Sequence, residues 1–328
     1  MSSSPKLSVI LGNLGSAADR FLTTGYRPAR SLHELFEATK SLPDLQGIEL
    51  VEGWHVTQDN VQEVKAELER TGLQVCSIIP NNFGEAHWGK GSYSNKDPEI
   101  RRQAIADTTA MMDVAAELGC PTVNLWPGQD GYDYSFQADY WAEHDWLAES
   151  IRECADYRKD IRLSLEYKIK EPRTHSYINT VGNTLLLVQE INRENVGVTI
   201  DTGHALMAYE NMAESAVLLK RYDNKLFHLH LNDNYRLWDD DMMVSSVHVI
   251  EYIELFYWLD RIGYDGWYSI DEYPYREDPV CAVRESLAWI QGLHRLVQRI
   301  GPERITAVIQ RGDATAASAL LREALLPG

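Results

Sequence analysis

The chain has 328 residues, of which 44% are hydrophobic and 24% are charged, and its formal net charge is −18. This length and composition are typical of a globular protein with a substantial core, and the negative charge disfavours binding to the phosphate backbone of nucleic acids. The four cysteines lack CxxC spacing and no run of 18 apolar residues occurs, which predicts neither a disulfide framework nor a membrane span. We therefore expect a cytoplasmic protein that binds neither nucleic acid nor membranes.

Eight short apolar or β-branched segments recur along the chain and are predicted strands. In chain order they are LSVIL, GIELV, LQVCSII, PTVNLW, IRLSLEYK, NVGVTID, KLFHLHLN and GWYSID. Segments with helical periodicity separate them, and one of these begins at Asp97–Pro98, an N-cap followed by proline, and ends near Gly119. Strands that alternate with helices, with no Pro/Gly-rich linker between them, predict a single α/β domain, a (β/α)8 TIM barrel.

The end of the chain continues beyond this alternation with further helical sequence. We expect residues 1–290 to form the catalytic barrel. Residues 291–328 are predicted to add a C-terminal helical extension that packs on the barrel or on a neighbouring subunit.

Alternation within four of the strands separates an aliphatic face from a polar one. In IRLSLEYK, Leu163 and Leu165 share one face, whereas Ser164, Glu166 and Lys168 share the other, and TVNLW, VGVTID and FHLHLN alternate in the same way. Successive side chains of a strand point to opposite faces, so the polar set must line the barrel interior. Because buried polar groups need partners, such an interior predicts a ligand, a metal ion or both.

The C-terminal ends of four predicted strands carry Glu166, Asp201, His230 and either Asp271 or Glu272. Active sites of TIM barrels lie at this end of the strands. Three carboxylates and one imidazole suit Mn²⁺, Mg²⁺ or Co²⁺ better than zinc. Parity places Asp271 on the same strand face as a small polar residue, so Asp271 is the predicted ligand of the last pair.

Several motifs occur along the chain, in the order KGSYSNKDPEIRRQAI, NLWPGQDGYDY, EYKIKEP, DTGH and HLND, the last followed by an acidic triplet. Together they resemble the xylose-isomerase-like TIM barrels, and most closely the L-rhamnose isomerase branch, over roughly residues 74–280. The resemblance implies one tightly bound divalent metal, Mn²⁺ or else Mg²⁺ or Co²⁺. Its ligands would be the residues matching Glu166, Asp201, His230 and Asp271.

The resemblance also implies a second, weaker metal site or an activated water, held by residues matching His204, Asp239 and Asp241. The segment NYRLWDDD is one residue longer than the family spacing. This leaves open which two of Asp239, Asp240 and Asp241 belong to the second site.

Further residues near the strand ends are candidates for catalysis or substrate binding. Lys168 lies two residues past Glu166 on the same face, where a fixed cation can stabilise charge on a sugar oxygen. Aromatic side chains that follow strand ends can pack against the C–H face of a sugar, and Arg236 resembles the arginine that ketose 3-epimerases use on substrate. The candidate substrate contacts are Trp126, Trp88, His87 and Arg236.

The resemblance implies a metal-dependent aldose–ketose isomerase that acts on an unphosphorylated sugar and forms a homodimer or homotetramer. Its catalytic residues would be Glu166, Lys168, Asp271, His204, Asp239 and Asp241.

One alternative is a ketose 3-epimerase, in which Glu166 and the strand-eight acid are paired acid and base. Another is the larger subunit of a lyase that cleaves C-glycosides of 3-keto sugars and needs a small second subunit. A DNA-repair endonuclease on a related barrel is disfavoured by the charge of −18, and a non-catalytic sugar-binding barrel would not need two acidic metal sites.

Overall fold

The structure, a computed structural model, describes residues 4–18 and 21–326, and within these ranges ten strands form. They are β1 (Lys6–Ile10), β2 (Leu45–Val51), β3 (Gln74–Ile79), β4 (Thr122–Leu125), β5 (Gly131–Tyr132), β6 (Arg162–Glu166), β7 (His175–Ser176), β8 (Val196–Asp201), β9 (Leu226–Leu231) and β10 (Trp267–Ile270). Eight of them are parallel and close into a barrel in the order β1, β10, β9, β8, β6, β4, β3, β2, while β5 and β7 pair as a small antiparallel ribbon. All eight predicted strands are present, and the TIM-barrel prediction is confirmed.

Helices follow the barrel strands and cover their outer, aliphatic faces. They are α1 (Leu32–Thr39), α2 (Val61–Thr71), α3 (Pro98–Glu117), α4 (Tyr140–Tyr157), α5 (Val181–Ile191), α6 (Thr202–Met207), α7 (Met212–Arg221), α8 (Val249–Ile262), α9 (Pro279–Ile300), α10 (Pro302–Arg311) and α11 (Ala314–Leu325). Helix α3 begins as the sequence predicts, because the Asp97 side chain accepts a hydrogen bond from the Glu99 N–H at 2.9 Å. Among the described helices, none is long and apolar enough to cross a bilayer.

The last helices extend the barrel beyond its eighth βα unit. The boundary expected at residue 290 falls inside α9, which runs unbroken to Ile300. A buried apolar stripe that includes Leu287, Ile290, Leu293 and Val297 continues through this point, so the helix packs on the barrel as one unit. Helices α10 and α11 form the C-terminal extension.

The barrel interior is polar, and its polar groups hydrogen-bond to one another across strands. Ser164 and Thr199 on neighbouring strands lie with their hydroxyl oxygens 2.6 Å apart, and Thr199 donates to Asn124 Oδ1 at 2.5 Å. Asn124 in turn donates from Nδ2 to Glu166 Oε2 at 2.7 Å. These hydrogen bonds offset the cost of burying hydroxyl and amide groups. The last of them is made by Glu166, at the carboxyl end of β6.

Candidate metal centre and active site

Four side chains from four adjacent strands of the barrel converge at the carboxyl end of its interior. Glu166, Asp201, His230 and Asp271 each offer a ligand atom, and these atoms all lie within 4.8 Å of one another. His230 Nδ1 is 3.2 Å from Glu166 Oε2 and 3.5 Å from Asp271 Oδ2. The parallel register that pairs Asp201 with His230 brings two of these residues side by side.

Strand parity separates the adjacent acids at the end of β10. The Asp271 N–H donates to the Leu231 carbonyl at 3.2 Å, which continues the pairing with β9 and keeps the Asp271 side chain on the interior face. Glu272 points the other way and accepts a hydrogen bond from the Ser286 hydroxyl on α9 at 2.5 Å. Only Asp271 of this pair therefore joins the cluster.

Asp201 is fixed through both of its carboxylate oxygens. Oδ1 accepts from the backbone N–H of His204 at 2.8 Å, where it caps α6, and Oδ2 accepts from Asn232 Nδ2 at 2.9 Å. Two rigid elements thus determine the direction in which this carboxylate faces the cluster.

The electrostatics of the cluster favour a bound cation. Burial raises the pKa of Asp271 to about 7 and that of Asp201 to about 6, and the neighbouring Glu166 carboxylate adds to both shifts. Burial also opposes ionisation of Glu166, but the imidazoles of His230 and His204 outweigh it and bring the pKa of Glu166 below its usual value. His230 Nδ1 is buried and makes no hydrogen bond to the part of the chain that the structure describes. These oxygen and nitrogen donors fit Mn²⁺, Mg²⁺ or Co²⁺.

A second group of charged side chains borders this cluster. Lys168 Nζ lies 2.7 Å from Asp239 Oδ2 and 2.9 Å from Glu171 Oε2. His204 connects the two groups, since its Nδ1 is 3.3 Å from Glu166 Oε1 and its Nε2 is 3.3 Å from Asp239 Oδ2. Burial favours a neutral amine at Lys168, but the surrounding carboxylates outweigh it and raise the pKa of Lys168 above its usual value. Lys168 is therefore a fixed cation.

The loop after β9 places the acidic triplet. The backbones of Asp233 and Met242 exchange two hydrogen bonds of 3.0 and 2.9 Å, so the intervening segment returns to the barrel mouth. Asp239 and Asp241 line the cavity there, whereas Asp240 accepts a hydrogen bond from the Tyr235 N–H at 3.0 Å. His204, Asp239 and Asp241 do not form a second ligand set as compact as the first among the described residues, and the Asp239 carboxylate also contacts Lys168.

These groups open into a cavity of about 160 Å³ with one apolar wall and one polar wall. Ile10, Val51 and Ile79, the last residues of the first three strands, form part of the apolar wall with Phe83. Trp126 stacks edge-on against Phe83, with ring centroids 4.7 Å apart, and extends this wall. The volume is below that of a typical drug-sized pocket and suits a small ligand with one hydrophobic face and several hydroxyl groups.

Comparison with known proteins agrees with this geometry. The model of the family described as xylose isomerase-like TIM barrel matches residues 36–293. The chain belongs to this family.

Its relatives include xylose isomerases from Thermus thermophilus and Thermus caldophilus. Each is 30% identical over 224 residues, which is 66% of this chain, and the chain spans only 58% of the length of either relative.

Solved structures with the same fold include several proteins described as epimerases. A D-tagatose 3-epimerase-like protein is 21% identical with a TM-score of 0.69, and the match covers 90% of this chain and 98% of that protein. The 3-keto-D-glucoside 4-epimerase of E. coli is 21% identical with a TM-score of 0.66, over 80% and 94%. The D-psicose 3-epimerase of Clostridium cellulolyticum H10, solved with D-tagatose, is 17% identical with a TM-score of 0.67, over 88% and 99%. At these identities, the likeness shows a shared fold.

Within this family fold, three of the predicted substrate contacts lie away from the cavity. Trp88 is buried in the main hydrophobic core, and the ring of His87 packs on its outer side with centroids 4.1 Å apart. Arg236 has a positive φ of 68°, and its guanidinium donates to His248 Nε2 and to Glu251 Oε1, each at 3.1 Å. Trp88, His87 and Arg236 therefore do not line this cavity, whereas Trp126 does, and substrate contact by any of the four stays a prediction.

Sequence reasoning did not single out Glu49, which lies fully buried beneath the cluster. Its carboxylate is 2.8 Å from His228 Nε2 and 3.2 Å from His230 Nε2. In GIELV, Glu49 alternates with Ile48 and Leu50, so the parity that revealed the other interior residues also identifies this one.

Proposed function

We propose that this protein is a divalent-metal-dependent aldose–ketose isomerase that acts on an unphosphorylated sugar. The observation that carries the proposal is the position of four convergent ligand atoms, all within 4.8 Å of one another, at the floor of a small cavity that also contains Lys168 and His204. Family membership supports the same class of chemistry. Mn²⁺, Mg²⁺ or Co²⁺ is the cofactor that these donors suit.

Different side chains would bind the open-chain sugar and stabilise the charge that develops on it. A divalent ion held by Glu166, Asp201, His230 and Asp271 would polarise the carbonyl and orient the hydroxyl groups next to it. Trp126 and Phe83 pack against the C–H face of the sugar and exclude water from it. Lys168 stabilises negative charge on O1, since its ammonium is fixed in place by two carboxylates.

Conversion of an aldose to its ketose moves a hydrogen from C2 to C1 and a proton from O2 to O1, and the second group of side chains would carry the proton between the oxygens. His204 lies between Glu166 and Asp239, at 3.3 Å from each, and its buried imidazole has its pKa raised to about 9, against the effect of burial, by Asp201 and Asp239. With Asp239 and Asp241 it would form a proton-carrying edge of the cavity. The second, weaker metal site expected at these residues would need His204 without its extra proton and Asp239 released from Lys168.

The charge of the cavity favours neutral sugars. The carboxylates of Glu166, Asp239, Asp241 and Asp271 line the cavity with a single lysine, Lys168, which is already paired with Asp239 and Glu171. A phosphorylated sugar would bring further negative charge next to these carboxylates, and no unpaired lysine or arginine among the residues that line the cavity is available to bind its phosphate.

A ketose 3-epimerase is the second candidate. Glu166 and Asp271 both lie within 3.5 Å of His230 and are placed as a pair of acids on one site, and proteins described as ketose 3-epimerases share the fold. The position of Arg236 outside the cavity weighs against it.

The test is a sugar panel with metal-stripped protein that has been refilled with Mn²⁺. The first aldoses to assay are L-rhamnose and D-xylose, because of the L-rhamnose isomerase resemblance and the xylose isomerase relatives. The first ketoses to assay are D-tagatose and D-psicose. Conversion of an aldose to its ketose supports the isomerase, and inversion at C3 of a ketose supports the epimerase instead. Reactions run in D₂O separate enediol proton transfer, which introduces deuterium into the product, from direct hydride transfer, which does not.

Asp201→Asn and Asp240→Asn provide a matched pair for the same assay. The first removes a charge from the cluster, and the second removes one from a neighbouring loop position that points out of the cavity. Loss of Mn²⁺ and activity in the first variant only is the expected result. Full activity in Asp201→Asn, or in wild-type protein after chelation, would contradict the proposal.

A further inference from the structure

The Glu49 carboxylate crosses the barrel interior to reach two histidines on a distant strand. Glu49 lies on β2 and the histidines on β9, and β1 and β10 separate these strands in the barrel. One oxygen is 2.8 Å from His228 Nε2 and the other is 3.2 Å from His230 Nε2. All three residues are at most 1% exposed, so solvent does not compete for these contacts.

This arrangement determines where the imidazole protons lie. A carboxylate only accepts hydrogen bonds, and each of the two Glu49 oxygens faces an imidazole Nε2. Each histidine must therefore carry a proton on Nε2. In a neutral ring, His230 Nδ1 is then without a proton, and it is this atom that faces Glu166 at 3.2 Å and Asp271 at 3.5 Å.

We propose that Glu49 is a positioning residue that fixes the ring and the tautomer of His230, and so presents Nδ1 to the metal ion. The inference rests on the proposed metal-dependent function and adds a residue to it. Carboxylates that hold the outer nitrogen of a metal-binding histidine commonly set both its orientation and its basicity.

A different role for the same residues is a separate metal site. Glu49, Cys76 and His228 offer three atoms within 4.8 Å of one another. Two observations favour positioning instead. Both Glu49 oxygens already face histidines, and burial raises the pKa of the Cys76 thiol, which donates to the Ile48 carbonyl at 3.2 Å, so a thiolate ligand is disfavoured.

Glu49→Gln is a sharp test because it keeps the shape and changes the donor pattern. The amide has one oxygen to accept from one histidine, and its NH₂ group then faces the Nε2–H of the other. That donor–donor contact is relieved when the ring moves its proton to Nδ1. When His230 is the ring that moves its proton, Nδ1 becomes protonated. This is the atom that faces Glu166 and Asp271, so it can no longer bind a metal ion.

The experiment measures Mn²⁺ binding to the full chain by the EPR signal of free Mn²⁺. We expect the dissociation constant of Glu49→Gln to be about 10- to 100-fold higher than that of the wild type. Cys76→Ala and His228→Gln, which change the same buried layer but leave the Glu49–His230 contact, should stay within about threefold on the same reasoning. ¹⁵N-histidine NMR of Mg²⁺-loaded protein should show a protonated Nε2 in wild-type His230 and a mixture of tautomers in Glu49→Gln.

Each outcome bears on a different part of the inference. Unchanged Mn²⁺ affinity in both Glu49→Gln and Glu49→Ala, the second of which leaves neither histidine an acceptor, overturns the positioning role. Loss of a bound metal in Cys76→Ala identifies a separate site and overturns it too. Wild-type protein that binds no Mn²⁺ overturns the proposed function itself. If Glu49→Gln fails to fold, Glu49→Asp retains the charge, withdraws the carboxylate by one methylene and carries the same expectation of weaker binding.

Discussion

Carboxylates that are adjacent in the sequence make different contacts in this protein, because the backbone orients their side chains in different directions. Asp271 faces the cluster while Glu272 faces α9, as strand parity requires. In the loop after β9, Asp239 and Asp241 line the cavity while Asp240 holds the loop. Asp241 has a positive φ of 46°, so this alternation is not that of a regular strand.

The difference between Asp240 and Asp241 can be measured with two isosteric variants. Asp241→Asn should leave the first metal bound and lower kcat by about 100-fold, because it removes a charge from the proton-carrying edge. Asp240→Asn retains an acceptor for the Tyr235 N–H and should change kcat less than about twofold on the same reasoning. Steady-state kinetics together with metal analysis of both proteins check the prediction. An equal loss of kcat in the two variants would show that catalysis depends on the conformation of the whole loop and not on the Asp241 carboxylate.

His55 gives the fold a defined dependence on pH. Burial lowers the pKa of His55 to about 4, and its Nδ1 accepts a hydrogen bond from the Val51 N–H at 2.9 Å. Because the unfolded chain binds this proton more tightly than the folded protein does, the contribution to stability is full above pH 6.5 and is lost as the pH falls towards 4.

We therefore expect wild-type stability to fall more than that of His55→Gln between pH 7 and pH 5, by about 2 kcal/mol. Urea unfolding at the two pH values measures this difference. The exposed His87, changed to Gln, is the control and should follow the wild type. A pH dependence in His55→Gln as steep as in the wild type would show that other groups account for it.

At the scale of elements, the short helix α6 connects the fold to the site. Asp201 caps this helix through Oδ1, and its Oδ2 accepts a hydrogen bond from the Asn232 amide. Gly203, in the first turn of the helix, lies against the same amide. A Cβ at position 203 would be 2.1 Å from Asn232 Oδ1. The glycine is thus required by the close approach of two strand ends.

Two glycine substitutions with opposite expected effects test this requirement. Gly203→Ala should displace Asn232, weaken Mn²⁺ binding about tenfold and lower the free energy of unfolding by about 1–3 kcal/mol. Gly292 lies within α9, where an added methyl meets no other described residue within 4 Å. Gly292→Ala should therefore raise the free energy of unfolding by about 0.5–1 kcal/mol. Denaturant unfolding and Mn²⁺ titration of both variants provide the measurement, and a wild-type-like Gly203→Ala would contradict the account.

The sequence predicts the strands and their interior faces well, because alternation with period two has a direct geometric meaning. Asn124, Ser164 and Thr199 occupy the interior as parity requires. The candidate residues that do not line the cavity lie in loops. Trp88 follows a strand at a distance that allows several directions, and it packs into the core, while Arg236 adopts a positive φ that turns it to His248. Nothing in the local pattern specifies these directions, since tertiary contacts decide them.

For the whole molecule, burial of the acidic cluster has a cost in stability that the proposed metal ion would offset. Asp201 and Asp271 resist ionisation where they lie, so an ion that pairs with them stabilises the folded state and not the unfolded chain. Addition of Mn²⁺ at 100 times its dissociation constant should contribute about 2.7 kcal/mol. For a chain of this length, that corresponds to a rise of about 4 °C in Tm.

Differential scanning calorimetry of stripped and refilled protein tests this expectation, and EDTA should reverse the shift. Asp201→Asn is the control, because its Tm should not respond to Mn²⁺. A wild-type Tm that is the same with Mn²⁺ and with EDTA would mean that the cluster is stable without an ion.

The pairing of β1 with β10 also orders events during synthesis. The first and last strands of the barrel are neighbours, so closure waits until residue 270 has been made. The cluster takes its four members from β6, β8 and β9 and from the residue after β10, so its last carboxylate emerges from the ribosome with the closing strand. A nascent chain, which folds from its N-terminus, therefore carries the apolar wall long before the acids are assembled. The proposed metal ion would therefore bind only after translation, and its presence would show that the barrel has closed.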